Sequence, residues 1–372
     1  MSTLKLSVVI ATKNRPYYCI EAVKSILSNR NSNFELVISD NSDDHIVYNF
    51  ANSIKDIRLN YVYTEGTLSQ SENYNICLNK ATGLYVCLLG DDDTILPEIF
   101  KAVDFAIDND VDAIGQKDVI DYLWPSNNSP GFARIPRYSR RIFKLDSGEV
   151  LRKYLKGGAC YNPRDAKLPM LYHGIVKRSL LEQIKNETGE FLTGISPDSY
   201  SACAIAQRIR IHYIYDIPFS VAGVCQSSAS ASKLMGGHRG ELSESPQYVL
   251  HEKKGYLWSN RIPRFYTVET IWADSALHNI NDNILQYFYL YPLVAKAIFS
   301  NFDIRRVIIK YTNIQLKENK KGVVLFYFKV IFCIIFRFVS KIIGKFIRVI
   351  LRSDRRFYNV KHIDSVFLLL NQ

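Results

Sequence analysis

Tyr85-Val-Cys-Leu-Leu-Gly-Asp91-Asp92-Asp93-Thr-Ile-Leu-Pro97 is the stretch from which the fold is read. The apolar, β-prone run Leu84–Leu89 predicts a buried strand, and Pro97 forbids that strand to continue. Three consecutive carboxylates stand where it ends. Adjacent acids repel one another, and a hard divalent cation such as Mg²⁺ or Mn²⁺ relieves the repulsion by binding carboxylate and phosphate oxygens. In an open α/β sheet the carboxyl ends of strands are also where ligands bind. The same triplet reads equally as a solvated acidic turn, so the flanking chain has to decide.

Upstream, Leu4–Thr12 is a near-continuous apolar run of the kind buried on both faces of a parallel sheet. Lys13-Asn14-Arg15-Pro16 follows as a loop, and Tyr18–Leu27 carries Ile20, Val23, Ile26 and Leu27 on one helical face. Phe34–Ser39 is a second strand ending at Asp40-Asn41-Ser42-Asp43-Asp44. A helix over Ile46–Ile54, a strand over Leu59–Tyr63 and a helix over Ser71–Lys80 precede the acids, and Leu96–Asn109 is helical again. Strand–helix alternation of this kind predicts an α/β fold, a mostly parallel sheet with helices on both faces.

Leu6-Ser-Val-Val-Ile-Ala-Thr-Lys-Asn-Arg-Pro16, Phe34-Glu-Leu-Val-Ile-Ser-Asp-Asn-Ser42, and Asn75 with Ala81-Thr-Gly83-Leu-Tyr85, Asp91-Asp92-Asp93 and Pro97 together resemble family 2 glycosyltransferases of the GT-A, Rossmann-like nucleotide-diphospho-sugar transferase fold. The resemblance covers residues 4–110 in order and spacing. It implies an inverting, metal-assisted transfer from a nucleotide-sugar, with Mn²⁺ or Mg²⁺ as cofactor. By the same resemblance Thr12, Arg15, Asp40 and Asn75 bind the donor, Asp40 accepting from the uracil ring of a UDP-sugar. Asp91, Asp92 and Asp93 hold the metal, and Asp91 also meets the ribose. Two positions depart from the family pattern. Gly90 stands where an Asp is common, which leaves the direct ligands open; alignment on Pro97 favours Asp92 and Asp93. Tyr74 replaces an Arg, so a phosphate contact beside Asn75 is lost.

Beyond residue 110 the pattern is less regular. Pro125–Pro136 is a loop by composition, followed by the basic Arg137–Lys144, together an insertion near the acceptor face. Ser147–Lys156 reads as a helix, Leu171–Val176 as a strand, Arg178–Lys185 as a helix, and Ile211–Tyr215 and Phe219–Val224 as strands. Asp198 follows Pro197 in the first turn of another helix, where a proline fits and an acid suits the helix dipole. It resembles the family's catalytic carboxylate, the base that takes the acceptor proton; capping is its simpler role. His238 lies in the Ser/Gly-rich loop Gln226–Gly240 with Lys233 and Arg239, placed to complete the metal shell or touch the diphosphate. His173, in Tyr172-His173-Gly174, reads first as a structural histidine and second as a residue bordering the acceptor pocket.

Composition places these elements in a compartment. The 372 residues are 47% hydrophobic, and seven scattered cysteines form no Cys-x-x-Cys pair, which predicts reduced thiols in a cytoplasm. The N-terminus enters a strand directly, with no signal-peptide pattern. Residues 1–300 carry 32 basic and 32 acidic side chains, whereas residues 301–372 carry 15 and 4, so the whole +11 lies in the tail. A neutral body argues against nucleic acid as a partner; a basic, greasy tail argues for an anionic membrane surface. Within it Val323–Leu351 is apolar but interrupted by Lys329 and Arg337. Arg337, Lys341, Lys345, Arg348 and Arg352 stack on one face. An interfacial amphipathic helix over about residues 323–352 is expected in place of a spanning one, which needs about 20 apolar residues.

The expectation assembled here has a catalytic domain over residues 1–240, split into a nucleotide-sugar half (1–110) and an acceptor half (111–240), and a helical membrane-associating region over 241–372. Its function is sugar transfer to a lipid-linked saccharide at the cytoplasmic face of the bacterial inner membrane, as in O-antigen or capsule assembly. A nucleotidyltransferase would carry a Gly-rich basic phosphate loop after the first strand, and Thr12-Lys-Asn-Arg-Pro16 is not one. A catalytically inactive relative that binds membrane or nucleic acid through its tail is the other reading.

Overall fold

The computed structural model describes residues 4–126, 129–228, 239–318, 322–350 and 354–370, with backbone alone for 345–350. Lys233, His238 and Arg352, and the side chains of Lys345 and Arg348, therefore lie outside the described residues.

The first four strands are β1 (Leu6–Thr12), β2 (Phe34–Asp40), β3 (Leu59–Tyr63) and β4 (Tyr85–Leu89). They pair in parallel in the order β3-β2-β1-β4. Alternation along β1 sorts the core into two layers, as the pleat requires. Leu6, Val8 and Ile10 pack with Cys19, Val23 and Ile26 of α1 (Pro16–Leu27), Val47 of α2 (Ile46–Ser53) and Ile99 of the later helix Glu98–Asp108. Val9 and Val37 face the other way, onto Tyr74, Cys77 and Leu78 of α3 (Gln70–Lys80). A capping box between Ser69 and Glu72 starts α3. Helices on both faces are as expected.

The remaining strands split the chain into two sheets. After β5 (Thr94–Ile95) and α4 (Glu98–Asp108) come β6 (Ala113–Gln116), β7 (Ile120–Leu123), β8 (Phe132–Ile135), β9 (Ile142–Asp146) and α5 (Ser147–Lys156). Then follow β10 (Ile175–Lys177), α6 (Arg178–Thr188), α7 (Pro197–Ala206), β11 (Ile211–Tyr215) and β12 (Ser220–Val224). The main sheet runs β3-β2-β1-β4-β10-β6-β11-β9, and β10 and β9 are antiparallel to their neighbours, so its far half is mixed. A second sheet corrects the loop expected at Pro125–Pro136: β8 lies inside it, with Ala133 and Ile135 fully buried. Alternation over four residues is too short to stand out in a stretch rich in Pro, Asn and Ser.

Two short strands, β13 (Arg239–Glu241) and β14 (Phe265–Thr267), pair with each other. Below them the helix Val268–Leu277 packs on α7, Leu290–Ser300 on Val268–Leu277, and Arg305–Glu318 on Leu290–Ser300. Leu151, Cys203, Ala273, Leu293 and Ile308 belong to one core, which runs without a seam across residue 240. The single helix expected over Leu242–Leu257 is a 3₁₀ turn (Leu242–Glu244) and a helix (Pro246–Lys253). Ile284–Phe299 is likewise two pieces, Asp282–Leu285 and Leu290–Ser300. The chain end does not stay with the helices. Its last strand, β15 (Arg355–Tyr358), joins the edge of β8, giving the order β15-β8-β7-β12-β5, and Val360, Ile363 and Val366 are buried there.

The helix Val323–Ile350 forms as expected but is turned over. Arg337 donates to the Tyr161 hydroxyl and, at 3.2 Å, to the Pro292 carbonyl, while Lys329 and Lys341 stand over the rings of Tyr291 and Phe299. These cations face the body because its helix Leu290–Ser300 offers aromatic faces and a carbonyl to hold them. The apolar face is left outside, with Val324 87%, Phe328 70% and Phe332 66% exposed. The 22-residue segment Val323–Gly344 is also long and apolar enough to cross a membrane. Replacing Phe328 and Phe332 with Ser should reduce co-flotation with vesicles at least ten-fold, since burying one such ring is worth about 1.5–3 kcal/mol. The melting temperature should barely move, because neither ring is packed. Undiminished flotation would assign membrane contact to another surface.

Candidate active site

The strand-end acids sit where β1 and β4 run out side by side. Thr12 ends β1 in register with Asp40 at the end of β2, and its hydroxyl donates to Asp91 Oδ2 at 2.6 Å. Arg15, just before α1, adds a two-point contact: its Nε reaches Asp91 Oδ2 at 3.1 Å and its terminal nitrogen binds Asp91 Oδ1. A fork of this kind on a fully buried carboxylate is a strong, directional pair. Burial pushes the Asp91 carboxyl up while Arg15 and Thr12 oppose it. Burial also opposes the charge on Arg15, but Asp91 and Asp92 outweigh it and hold the guanidinium more firmly protonated than usual.

Asp93 is held differently. Its Oδ2 accepts from the Gly90 amide at 2.7 Å and the Tyr172 hydroxyl at 2.8 Å, and its Oδ1 from the Gly223 amide at 2.7 Å. His173 Nε2 lies 3.1 Å from Oδ2, off the line of a hydrogen bond, while its Nδ1 is 2.8 Å from the Ser220 hydroxyl. Burial alone would raise Asp93; His173 and the two amides turn the shift downward. Gly223 permits the close approach of β12, because a Cβ there would stand 1.8 Å from the Asp92 carbonyl oxygen. His173 adopts a left-handed backbone (φ 55°), strain that a non-glycine residue carries only where its surroundings hold it.

Asp92 alone keeps a free oxygen. Its Oδ2 accepts from the Cys225 amide at 3.2 Å and lies 3.6 Å from Arg15, whereas Oδ1 has no partner among the described residues. Burial and the neighbouring charge of Asp93 push its carboxyl up to about 7. Asp91 and Asp93, both expected as metal ligands, have both oxygens engaged by protein donors. Among the described residues no three His, Cys, Asp or Glu side chains are grouped as a metal cage. One arrangement still fits a divalent cation: Asp92 together with oxygens of a bound diphosphate, the sparse protein coordination that Mg²⁺ accepts.

The other sequence-expected residues divide in the same way. Asp40 is buried at the sheet edge, where it accepts from the Ser42 amide at 2.8 Å and the Tyr61 hydroxyl at 2.7 Å. Asn75 does not face the first loop. Its amide group is spent on Glu190 and Leu192, pinning residues 190–192 against α3. Its neighbour Asn73 faces the loop instead, donating to the Thr12 carbonyl at 3.0 Å and leaving its own buried oxygen unpartnered. Asn75 and Asn73 differ by two positions on a helix, and only the docking of α3 decides which one meets the site.

Asp198 opens α7 on the wall of a cavity of about 320 Å³, shared with Tyr172, His173, Gly223, Arg164 and Trp272. Its carboxylate caps nothing and has no hydrogen bond among the described residues. Burial raises it to about 6, against the opposing pull of His173 and Arg164. Tyr172 and His173 thus join the two halves: each lines this cavity and each contacts Asp93. Gly223, Arg164 and Trp272 escaped the sequence reading because no motif marks them, and Tyr172 entered it only as the neighbour of His173. The Tyr172-His173-Gly174 triplet was the available signal, since a Cβ at Gly174 would stand 1.8 Å from the Met170 carbonyl oxygen. Substituting Arg15 with Ala would leave Asp91 charged, buried and unpaired. A loss of about 3–5 kcal/mol in unfolding free energy by urea titration is expected. A variant as stable as the wild type would show that Arg15 does not hold the acid cluster.

The model of the family described as glycosyl transferase family 2 matches residues 7–155. An uncharacterized glycosyltransferase of Rickettsia conorii is 35% identical over 94 residues, covering 25% of this chain and 15% of the relative. An uncharacterized glycosyltransferase of Rickettsia felis is 34% identical over 90 residues, 24% of this chain and 15% of that relative. The chain therefore spans about 15% of the length of these curated relatives. Among solved structures, S. aureus TarS 1-349 in complex with UDP-GlcNAc superposes with a TM-score of 0.49 at 13% identity, over 86% of this chain and 93% of that one. Residues 7–155, which carry Thr12, Arg15, Asp40 and the three strand-end acids, are thus the part of the chain that matches glycosyl transferase family 2.

Proposed function

We propose that the chain is an inverting glycosyltransferase that moves a sugar from a nucleotide-sugar, a UDP-sugar, to a lipid-linked saccharide at the cytoplasmic face of a bacterial membrane. Assembly of a surface polysaccharide such as O-antigen or capsule is the process this suits. The observation that carries the reading is Asp198: a carboxylate with no hydrogen bond among the described residues, in a cavity whose Tyr172–His173 wall also contacts the strand-end acid Asp93.

On this reading the donor nucleotide lies along the loop ends that carry Thr12, Asp40 and Arg15. Asp40 already accepts two hydrogen bonds, and each carboxylate oxygen retains a lone pair for a ring N–H of the base. Arg15 presents positive charge at the diphosphate while it anchors Asp91. Asp92 would hold Mn²⁺ or Mg²⁺ together with the donor phosphates, and such an ion supplies Lewis-acid neutralisation of the leaving diphosphate. Asp198 takes the proton of the acceptor hydroxyl as that oxygen attacks the anomeric carbon from the face opposite the nucleotide, which inverts the configuration. A group raised to about 6 is ionised at neutral pH yet basic enough for this role.

Asp198→Asn should keep UDP binding, read by thermal shift, and lose sugar transfer by about 10²–10⁴-fold. Wild-type turnover in that variant would remove Asp198 from the mechanism. The base works deprotonated, so kcat/KM should fall below about pH 6. Arg164 favours the charged form, so Arg164→Gln should move that acid limb to higher pH; an unmoved limb would assign it to another group.

Asp92→Asn tests the cation without relying on turnover. In the wild type Mn²⁺ should enlarge the UDP-induced thermal shift, and in the variant that increment should vanish while the metal-free UDP shift remains. A preserved increment would place the ion elsewhere.

A further inference from the structure

We propose that a cavity beneath the apolar helix Val323–Ile350 binds the phosphate by which the acceptor saccharide is joined to its lipid, through Lys296, Arg337 and Lys341. The inference rests on the glycosyl-transfer reading and names the chemistry that presents the acceptor. The cavity, of about 580 Å³, opens between this helix and Leu290–Ser300. Tyr161, Ser300 and Ser340 add hydroxyls to the three cations, and no carboxylate lines it.

Three positive charges gathered in one partly enclosed space repel one another. None of them has an ion pair among the described residues. Arg337 donates to the neutral Tyr161 hydroxyl and Pro292 carbonyl; the other counterparts among the described residues are aromatic: Lys296 and Arg337 share the ring of Tyr161 at 5.8 and 4.9 Å, and Lys341 stands 5.4 Å from Phe299. Ring faces attract a cation weakly, by about 0.5–1 kcal/mol at exposed sites, and add no negative charge. The Arg337 Nε is buried with no hydrogen-bond partner among the described residues. A phosphate supplies what is missing, several strong acceptor oxygens with charge to match, and Arg with Lys is the usual pair of side chains that receive it.

Position says which phosphate. Phe336 borders the cavity and belongs to the exposed apolar face of the same helix, so an anion bound here sits beside a surface suited to hydrocarbon. The opposite wall leads to the catalytic cavity: Tyr161 lines the cationic cavity, and Asn162, Pro163 and Arg164, the next three residues, line the one that holds Asp198. Chain geometry keeps the Cα atoms of Tyr161 and Arg164 within about 11 Å. A phosphate held on one side of this short segment therefore delivers its attached saccharide towards the base on the other.

The test uses the full chain and phosphatidylcholine vesicles, plain or doped with dodecyl phosphate or, at equal charge, phosphatidylglycerol. Dodecyl phosphate should tighten binding of the wild type roughly ten-fold or more, and phosphatidylglycerol much less. In the double variant Lys296→Gln/Lys341→Gln the dodecyl phosphate gain should disappear. Binding to plain vesicles, which depends on the apolar face, should persist. A gain retained by the variant, or an equal gain from phosphatidylglycerol, would overturn the proposal in favour of diffuse attraction to an anionic surface. Thermal shift with UDP separates the two readings. A wild type that ignores UDP sinks glycosyl transfer, whereas the vesicle comparison alone decides the phosphate cavity.

Discussion

Three adjacent aspartates cannot share one environment at the end of a buried strand, and most of the site follows from how their charge is divided. Asp91 is neutralised by the Arg15 fork and the Thr12 hydroxyl. Asp93 is wrapped by two backbone amides, a tyrosine hydroxyl and a histidine. Asp92, between them, keeps one oxygen free and a carboxyl raised by burial and by its neighbour. Repulsion that would otherwise oppose folding is thus concentrated on one carboxylate, whose charged form burial and its neighbour both disfavour.

The same division ties distant parts of the chain together. Asp93 recruits Tyr172 and His173 from the segment before β10 and Gly223 from β12, which draws the second sheet against the first. The Trp124 indole donates to the Asp92 carbonyl at 3.0 Å, adding β7's end to the same cluster. α7 is then set so that Asp198 opens onto the far side of the Tyr172–His173 pair. A carboxylate left without donors in such a place is kept basic by desolvation, unlike Asp93 a few residues of packing away.

The C-terminal region repeats this logic with the opposite charge. Its long helix turns cations inward onto aromatic rings and leaves Phe and Ile side chains outward, an inversion of the usual soluble amphipathic helix. Such a surface loses free energy in water and gains it at a bilayer. The helix packs on Leu290–Ser300, and the chain end returns to pair with β8, so both flanks of this surface contact the body.

What the amino-acid sequence determined by itself was everything carried by local periodicity and contiguous motifs. The buried strands β1, β2 and β4, the alternating helices, the acids after Leu89 and the apolar run after Val323 were all legible in order, since burial on both faces and helical amphipathicity each leave a repeat. The placement of Asp198 at a helix start was legible too, from Pro197. Tertiary structure alone decided which acid of the triplet keeps an unengaged oxygen, that Asn75 serves the 190–192 loop while Asn73 meets Thr12, and that Lys329, Arg337 and Lys341 face the body. It also added β8 and β15, strands of four residues whose identity comes from the partner across the sheet. Each of these depends on donors and rings brought from far along the chain, Gly223 to Asp93 or Tyr161 to Arg337, and contacts of that range leave no spacing in the sequence to be read.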